Sequence, residues 1–144
     1  MRYLNLDHLR RCIETLQRSL RLYQQAEADS IEQEVFRNAI VKSYELTQEI
    51  SFKLLKKALK AFGHGSRKLE ATPIKDILRH AAVHDLLTVE EVERWFRYRD
   101  NRNDTAHDHG EAFARETLTL MPDFVADVSR LADRLDAKLG KDAS

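Results

Sequence analysis

Between Ile31 and Phe62 the sequence contains nothing that stops a helix: no proline, no glycine, and a start signal just ahead in Ser30 and Gln33. At 1.5 Å per residue such a helix runs about 45 Å, longer than a compact domain of this size is wide. A helix of that length has to be the spine of an elongated bundle. The rest of the chain must then supply apolar partners along it.

Those partners are visible as periodicity. Leu6, Leu9, Ile13, Leu16, Leu20 and Tyr23 recur at steps of three and four, a narrow apolar stripe on a first helix ending near Glu27. In the capping box ahead of the long helix, Ser30 accepts from the Gln33 amide and the Gln33 side chain returns to Ser30. Gly63 suits a left-handed stop, and "GHGSRKLEAT" reads as a polar connection to Thr72 and Pro73, an N-cap and first-turn pair for a short helix over Pro73 to His84. A second capping box, Thr88 with Glu91, opens a helix holding Val89, Val92, Trp95 and Phe96. After Gly110 the three-and-four pattern resumes with Leu118, Met121, Val125, Val128, Ala132, Leu135 and Leu139. Pro122 falls inside that run, where it should kink the helix or mark a boundary between two. The expected fold is all-α: one elongated antiparallel bundle of about five helices over residues 1–144, with an ordered core at about 4–139.

Composition agrees. A 42% hydrophobic content with 33% charged residues, four glycines and two prolines suits a helical globule better than a disordered chain or a β-sandwich. No window holds eighteen apolar residues in a row and the first residues lack a signal-peptide block, so a soluble, cytoplasmic protein with no membrane partner is expected. Cys12 is the single cysteine, which leaves no intramolecular disulfide and no cysteine pair for zinc; beside the first apolar stripe it reads as packing. Lysine plus arginine balances aspartate plus glutamate at 24 each. With no global basic field, any nucleic-acid contact must come from a local patch.

The pattern of packing breaks at "FRYRDNRNDTAHDHG", residues 96 to 110. A solvated helix end is the plain reading. Against it, Arg94, Arg97, Arg99 and Arg102 fall within nine residues, a concentration of guanidinium groups suited to phosphate oxygens. Arg102 is also followed by His107: an imidazole can exchange a proton near neutral pH, and a guanidinium is a fixed cation for a charged phosphorane. On an unbroken helix the two would point about 140 degrees apart. Either the helix bends at "NRND" or the groups meet across a dimer interface.

"RDNRNDTAH" resembles the Arg-Asp-x-Arg-Asn-x-Thr-x-His block of the nucleotidyltransferase substrate-binding proteins of the HEPN superfamily, with Arg99, Asp100, Arg102, Asn103, Thr105 and His107 in its positions. Upstream, "YELTQEISFKLLKKAL" is similar to that family's Phe-Glu-x-x-x-Glu-Leu-Ala-Trp-Lys segment, with Tyr44, Glu45, Glu49, Ile50, Ser51, Phe52 and Lys53 in place. The resemblance spans about Leu6 to Leu139. It implies a helical homodimer, encoded beside a minimal nucleotidyltransferase and restrained by it as toxin by antitoxin. It also implies a metal-independent endoribonuclease in which Arg102 and His107 are catalytic. The alternative is a non-catalytic subunit that presents a nucleotide to the partner's active site. Many HEPN toxins carry tyrosine two residues after the histidine; here that place is His109, a second proton carrier or a loop histidine.

Other candidates are weaker. Glu45 and Glu49 share one helix face, and ion pairs orienting Arg99 or Arg102 are a plainer use for them than a divalent metal. His80 and His84, also four apart, make only two ligands and read as partly buried helix residues; His8 and His64 show no partner in sequence. "GHGS" lacks the pattern of a phosphate loop. Trp95 reads as a core anchor, while Tyr98 is placed equally well in the core or stacked on a base. No metal and no cofactor is implied.

Overall fold

The computed structural model describes residues 3–105 and 111–141, with side chains for 3–102 and 112–141. Six helices follow one another: α1 (Asp7–Gln25), α2 (Ile31–Ala61), α3 (Ser66–Ala71), α4 (Ile74–Val83), α5 (Val89–Thr105) and α6 (Glu111–Leu139). There is no strand among the described residues.

α2 is unbroken for 31 residues, as the absence of stop signals requires. α1 lies along it, burying Leu9, Cys12, Ile13 and Leu16, and α6 closes over both. α4 packs on α2 and α5, and α5 packs on α6. The thiol of Cys12 is raised above its usual pKa by burial, which suits a packing residue. The bundle is unevenly filled along its spine: from Ile31 to Ser43 only Ile40 of α2 is buried, whereas Tyr44, Phe52, Leu54, Leu55, Ala58 and Leu59 are all buried beyond it.

Several local details differ from expectation. Ser30 does accept from the Gln33 amide at 3.1 Å, but the Gln33 side chain accepts from the amide of Asp29, not of Ser30. Asp29 itself stands in the left-handed region at φ 62. Gly63 takes the left-handed stop at φ 104. The stretch read as a polar connection contains α3, a six-residue helix whose one buried residue is Leu69; a single anchor leaves no periodicity to read. Thr72 does not cap α4: its hydroxyl donates back to the Lys68 carbonyl of α3, and the Pro73 carbonyl accepts from Asp76 and Ile77 instead. Pro122 marks no boundary, because α6 runs through it with the ring exposed. The proline removes one amide from the ladder there. At one end of the bundle the Leu4 amide donates to the Leu139 carbonyl at 2.8 Å, tying the start of α1 to the end of α6.

Candidate functional site

α5 carries the motif arginines, so what orients α5 orients the site. Its start is held by the reciprocal box expected from sequence: the Thr88 amide donates to Glu91 at 2.7 Å and the Glu91 amide to Thr88 Oγ1 at 3.1 Å. Glu91 is buried and also accepts from Arg134 of α6. Burial alone would raise its carboxyl, but the Arg134 guanidinium and the Thr88 amide more than offset this and hold it below the usual carboxylate range.

Further along, α5 runs antiparallel to α2 in a register that pairs Trp95 with Phe52, Tyr98 with Gln48, and Asn101 with Tyr44. The Tyr98 carbonyl accepts from Tyr44 Oη at 3.1 Å and from Gln48 Nε2 at 3.2 Å. Asn101 Nδ2 reaches Tyr44 Oη at 3.4 Å and Thr117 Oγ1 of α6 at 3.2 Å. On the other side, Asp127 of α6 accepts from Tyr98 Oη at 2.6 Å, from Arg94 at 2.8 and 2.9 Å, and from Arg130 at 3.1 Å. Trp95, Tyr98, Tyr44 and Phe124 pack edge to face through the middle of this network. Burial raises both tyrosine hydroxyls well above their usual range, so they remain donors and not bases. The result is a buried polar spine that fixes the rotation of α5 one residue before Arg102.

This geometry separates residues that sequence had grouped. Arg94 is committed to Asp127, whose hydrogen bonds raise its pKa further, so it is a structural cation and not a phosphate ligand. Tyr98 is 1% exposed and its ring is closed to any base; Trp95 is fully buried. Arg97 is exposed, Arg102 half-buried, and Arg99 lies over the Phe52 ring at 5.9 Å on the α2 side. Asp100 pairs with Lys75 of α4 at 3.1 Å. Glu45 is half-buried on α2, and Glu49 pairs with Lys53 at 3.6 Å in place of a motif arginine.

"NRND" does not bend out of the helix, since α5 continues through it to Thr105. Asn103 and Thr105 lie on that last turn. His107 and His109, the proposed proton carriers, lie outside the described residues.

Sequence reasoning missed Asn101, Thr117, Asp127 and Gln48. A signal existed for two of them: Asn101 continues the Trp95–Tyr98 face three residues on, and Asp127 sits between Phe124 and Val128 on the apolar stripe of α6. It also missed a histidine corner. His64 Nε2 lies 2.9 Å from His84 Nε2, the His80 ring is 5.2 Å from His64, and Phe62 stacks on His84. His64 is thus not partnerless. Its pKa is lowered by burial and then by His84, His80 and Lys68. Among the described residues no group of three His, Cys, Asp or Glu is arranged to hold a metal, and no helix is long and apolar enough to cross a membrane.

Residues 4–137 match the family described as nucleotidyltransferase substrate binding protein like. A relative from Haemophilus influenzae, the probable ribonuclease HepT, is 29% identical over 106 residues, covering 74% of this chain and 71% of its own. A Haemophilus influenzae structure described as the fold of a substrate-binding domain of a nucleotidyltransferase superposes with a TM-score of 0.79 at 25% identity, covering 91% of this chain and 98% of that one. A Thermus thermophilus crystal structure gives 0.70 at 26% identity, over 88% and 98% of the two chains. A toxin–antitoxin structure with AMP-PNP shares the fold, with a TM-score of 0.62 at 15% identity over 92% of this chain and 99% of that one.

Proposed function

Because this chain belongs to the family of nucleotidyltransferase substrate-binding-like proteins, we propose that it is the HEPN toxin of a pair with a minimal nucleotidyltransferase, and that as a homodimer it is a metal-independent endoribonuclease. The observation that carries the reading is the anchoring of Asn101 from two helices, which fixes the turn of α5 that carries the adjacent, half-buried Arg102. A surface helix end would need no such lock. The 29% identical relative named as a probable ribonuclease supports the same assignment.

In this reading His107 takes the proton of a ribose 2'-hydroxyl, the 2'-oxygen attacks the adjacent phosphorus, and the bond to the 5'-oxygen breaks. Arg102 stabilises the charge that develops on the phosphorane, and His107 of the second copy returns a proton to the leaving 5'-oxygen. A cyclic phosphate is left. Arg99 and Asn103 line the cleft, Thr105 and Glu45 support it, and His109 reads as a loop histidine; Asp100 and Glu49 engage Lys75 and Lys53. A general base is worth about a hundred- to ten-thousandfold and an oriented charge donor about a hundred- to thousandfold.

Cleavage of a labelled mixed-sequence RNA in excess EDTA tests this. Arg102→Ala and His107→Ala should each reduce cleavage by about those factors while remaining folded. Growth arrest on expression of the chain alone, relieved by the nucleotidyltransferase, tests the pairing. A second reading is favoured by the 25% identical structure described as a substrate-binding domain: a non-catalytic subunit that presents a nucleotide to its partner. It predicts nucleotide binding without RNA cleavage.

A further inference from the structure

On a chain with no net charge, residues 51–69 carry six lysines and arginines and no aspartate or glutamate. The structure gathers this excess on one surface. At 100 degrees per residue, Lys53, Lys56, Lys57 and Lys60 fall within an arc of about 100 degrees on α2, opposite buried Leu54, Leu55, Ala58 and Leu59. Lys53, Lys57 and Lys60 are exposed and Lys56 is half-buried. Past the end of α2, exposed Arg67 and Lys68 of α3 add two more cations, against the single carboxylate of Glu70, and Lys68 lies close enough to act electrostatically on His64. In the other direction Arg99, seated over Phe52, carries it toward Arg102.

Helix formation does not call for this arrangement. A cation favours the last turn, where Lys60 lies, but that effect fades within one turn, and Lys53 and Lys56 are further back. Lys53 with Lys56 and Lys57, and Lys60 with Lys56 and Lys57, are like charges at spacings of three and four, which oppose the helix. Glu49 offsets only Lys53, through an exposed pair at 3.6 Å. The like charges are a net cost to the helix that a polyanionic ligand would offset.

We infer that this outer face of α2, continued by α3, binds the phosphate backbone of single-stranded RNA and leads it to the cleft at Arg99 and Arg102. Protein interfaces have apolar, lysine-poor centres. Of the large exposed apolar side chains, Ile31, Val35 and Leu46 share this face of α2 but lie seven or more residues before Lys53, about 10 Å or more along the helix, and the segment from Lys53 to Lys60 carries none. A lysine-lined surface without them fits a polyanion better than a folded partner.

The inference rests on the ribonuclease reading, and two substrates separate the two. Binding of a labelled 20-nucleotide single-stranded RNA is measured across a salt series for the full chain and for a variant combining K53Q, K56Q, K57Q and K60Q, both on a His107→Ala background. In parallel, the parent and the four-lysine variant, both with His107 intact, are assayed for cleavage of the same RNA and of a dinucleotide too short to span α2. The expected result is at least tenfold weaker RNA binding and a salt slope flatter by about 0.7 for each phosphate that the variant no longer neutralises. The variant should melt no lower than the parent, and dinucleotide cleavage should stay within twofold.

Unchanged RNA affinity and slope would overturn the inference while leaving the ribonuclease standing if the dinucleotide is cut. Loss of binding to the nucleotidyltransferase with RNA binding intact would also overturn it, making the face a protein-binding surface. Lysine-dependent RNA binding with neither substrate cut would retain the surface and remove the ribonuclease.

Discussion

Two polar clusters of opposite kind sit in this bundle. Where α5 meets α6, Asp127 is almost fully buried and surrounded by Tyr98, Arg94 and Arg130, each donating to it. Where α4 meets the end of α2, His64, His80 and His84 crowd together half-exposed, and the charged neighbours that act on His64 are His84, His80 and Lys68, none of them acidic. The first cluster needs its charges, because a buried carboxylate without partners is far costlier than one never buried. The second tolerates at most one charge across its closest contact, since two imidazoles 2.9 Å apart share a hydrogen bond only while one nitrogen can accept. One cluster fixes the register of α5 through opposite charges; the other holds only while at least one of the two facing imidazoles is neutral.

The sharpest way to break this comparison is Asp127→Ala. Removing the acid leaves Arg94 and Tyr98 without their acceptor, and we expect a loss of about 3 to 5 kcal/mol, measured by urea unfolding. A loss under about 1 kcal/mol would show that Arg94 simply relaxes into solvent and that the two clusters do not differ in kind. Tyr98→Phe takes away one donor to a charged acceptor and should cost about 1.5 to 3 kcal/mol.

The smallest effect at neutral pH belongs to His64→Asn, expected within about 0.5 kcal/mol of the parent at pH 7.5. Its signature is the pH profile. A histidine whose folded pKa lies below 6.5 binds fewer protons folded than unfolded, so stability falls as pH drops through 6.5 and levels off below the folded value. The variant should flatten that fall between pH 7 and 5. Glu91 titrates in a separate window: its lowered carboxyl stabilises the fold above about pH 4.5, and that stability is lost only as pH falls through the folded value. A parent profile flat from pH 7 to 5 would count against the histidine corner.

What could be read in the sequence was what neighbouring residues decide together. The span of α2 and the Thr88–Glu91 box are local, and both stand as read. What could not be read depends on the direction in which residues face. Four arginines close in sequence suggested one cationic site, yet Arg94 turns to α6 and Arg99 to α2, because α5 rotates by 100 degrees at each residue. Asn101 was readable as a polar residue on a buried face, but its partners Tyr44 and Thr117 are set by the packing of three helices. The histidine corner joins residues 20 apart in sequence through a turn and α3, a helix too short to leave a pattern.

The hydrogen bond between Leu4 and Leu139 makes the path of the backbone nearly a closed circuit. Joining those two positions by a short linker adds little loop-closure entropy, and new termini can then be cut at the exposed turn after Ala26. Such a circular permutant would keep every helix while placing α1 and α2 at opposite ends of the chain. How well it refolds would show whether this hairpin must form first or only has to be present at the end.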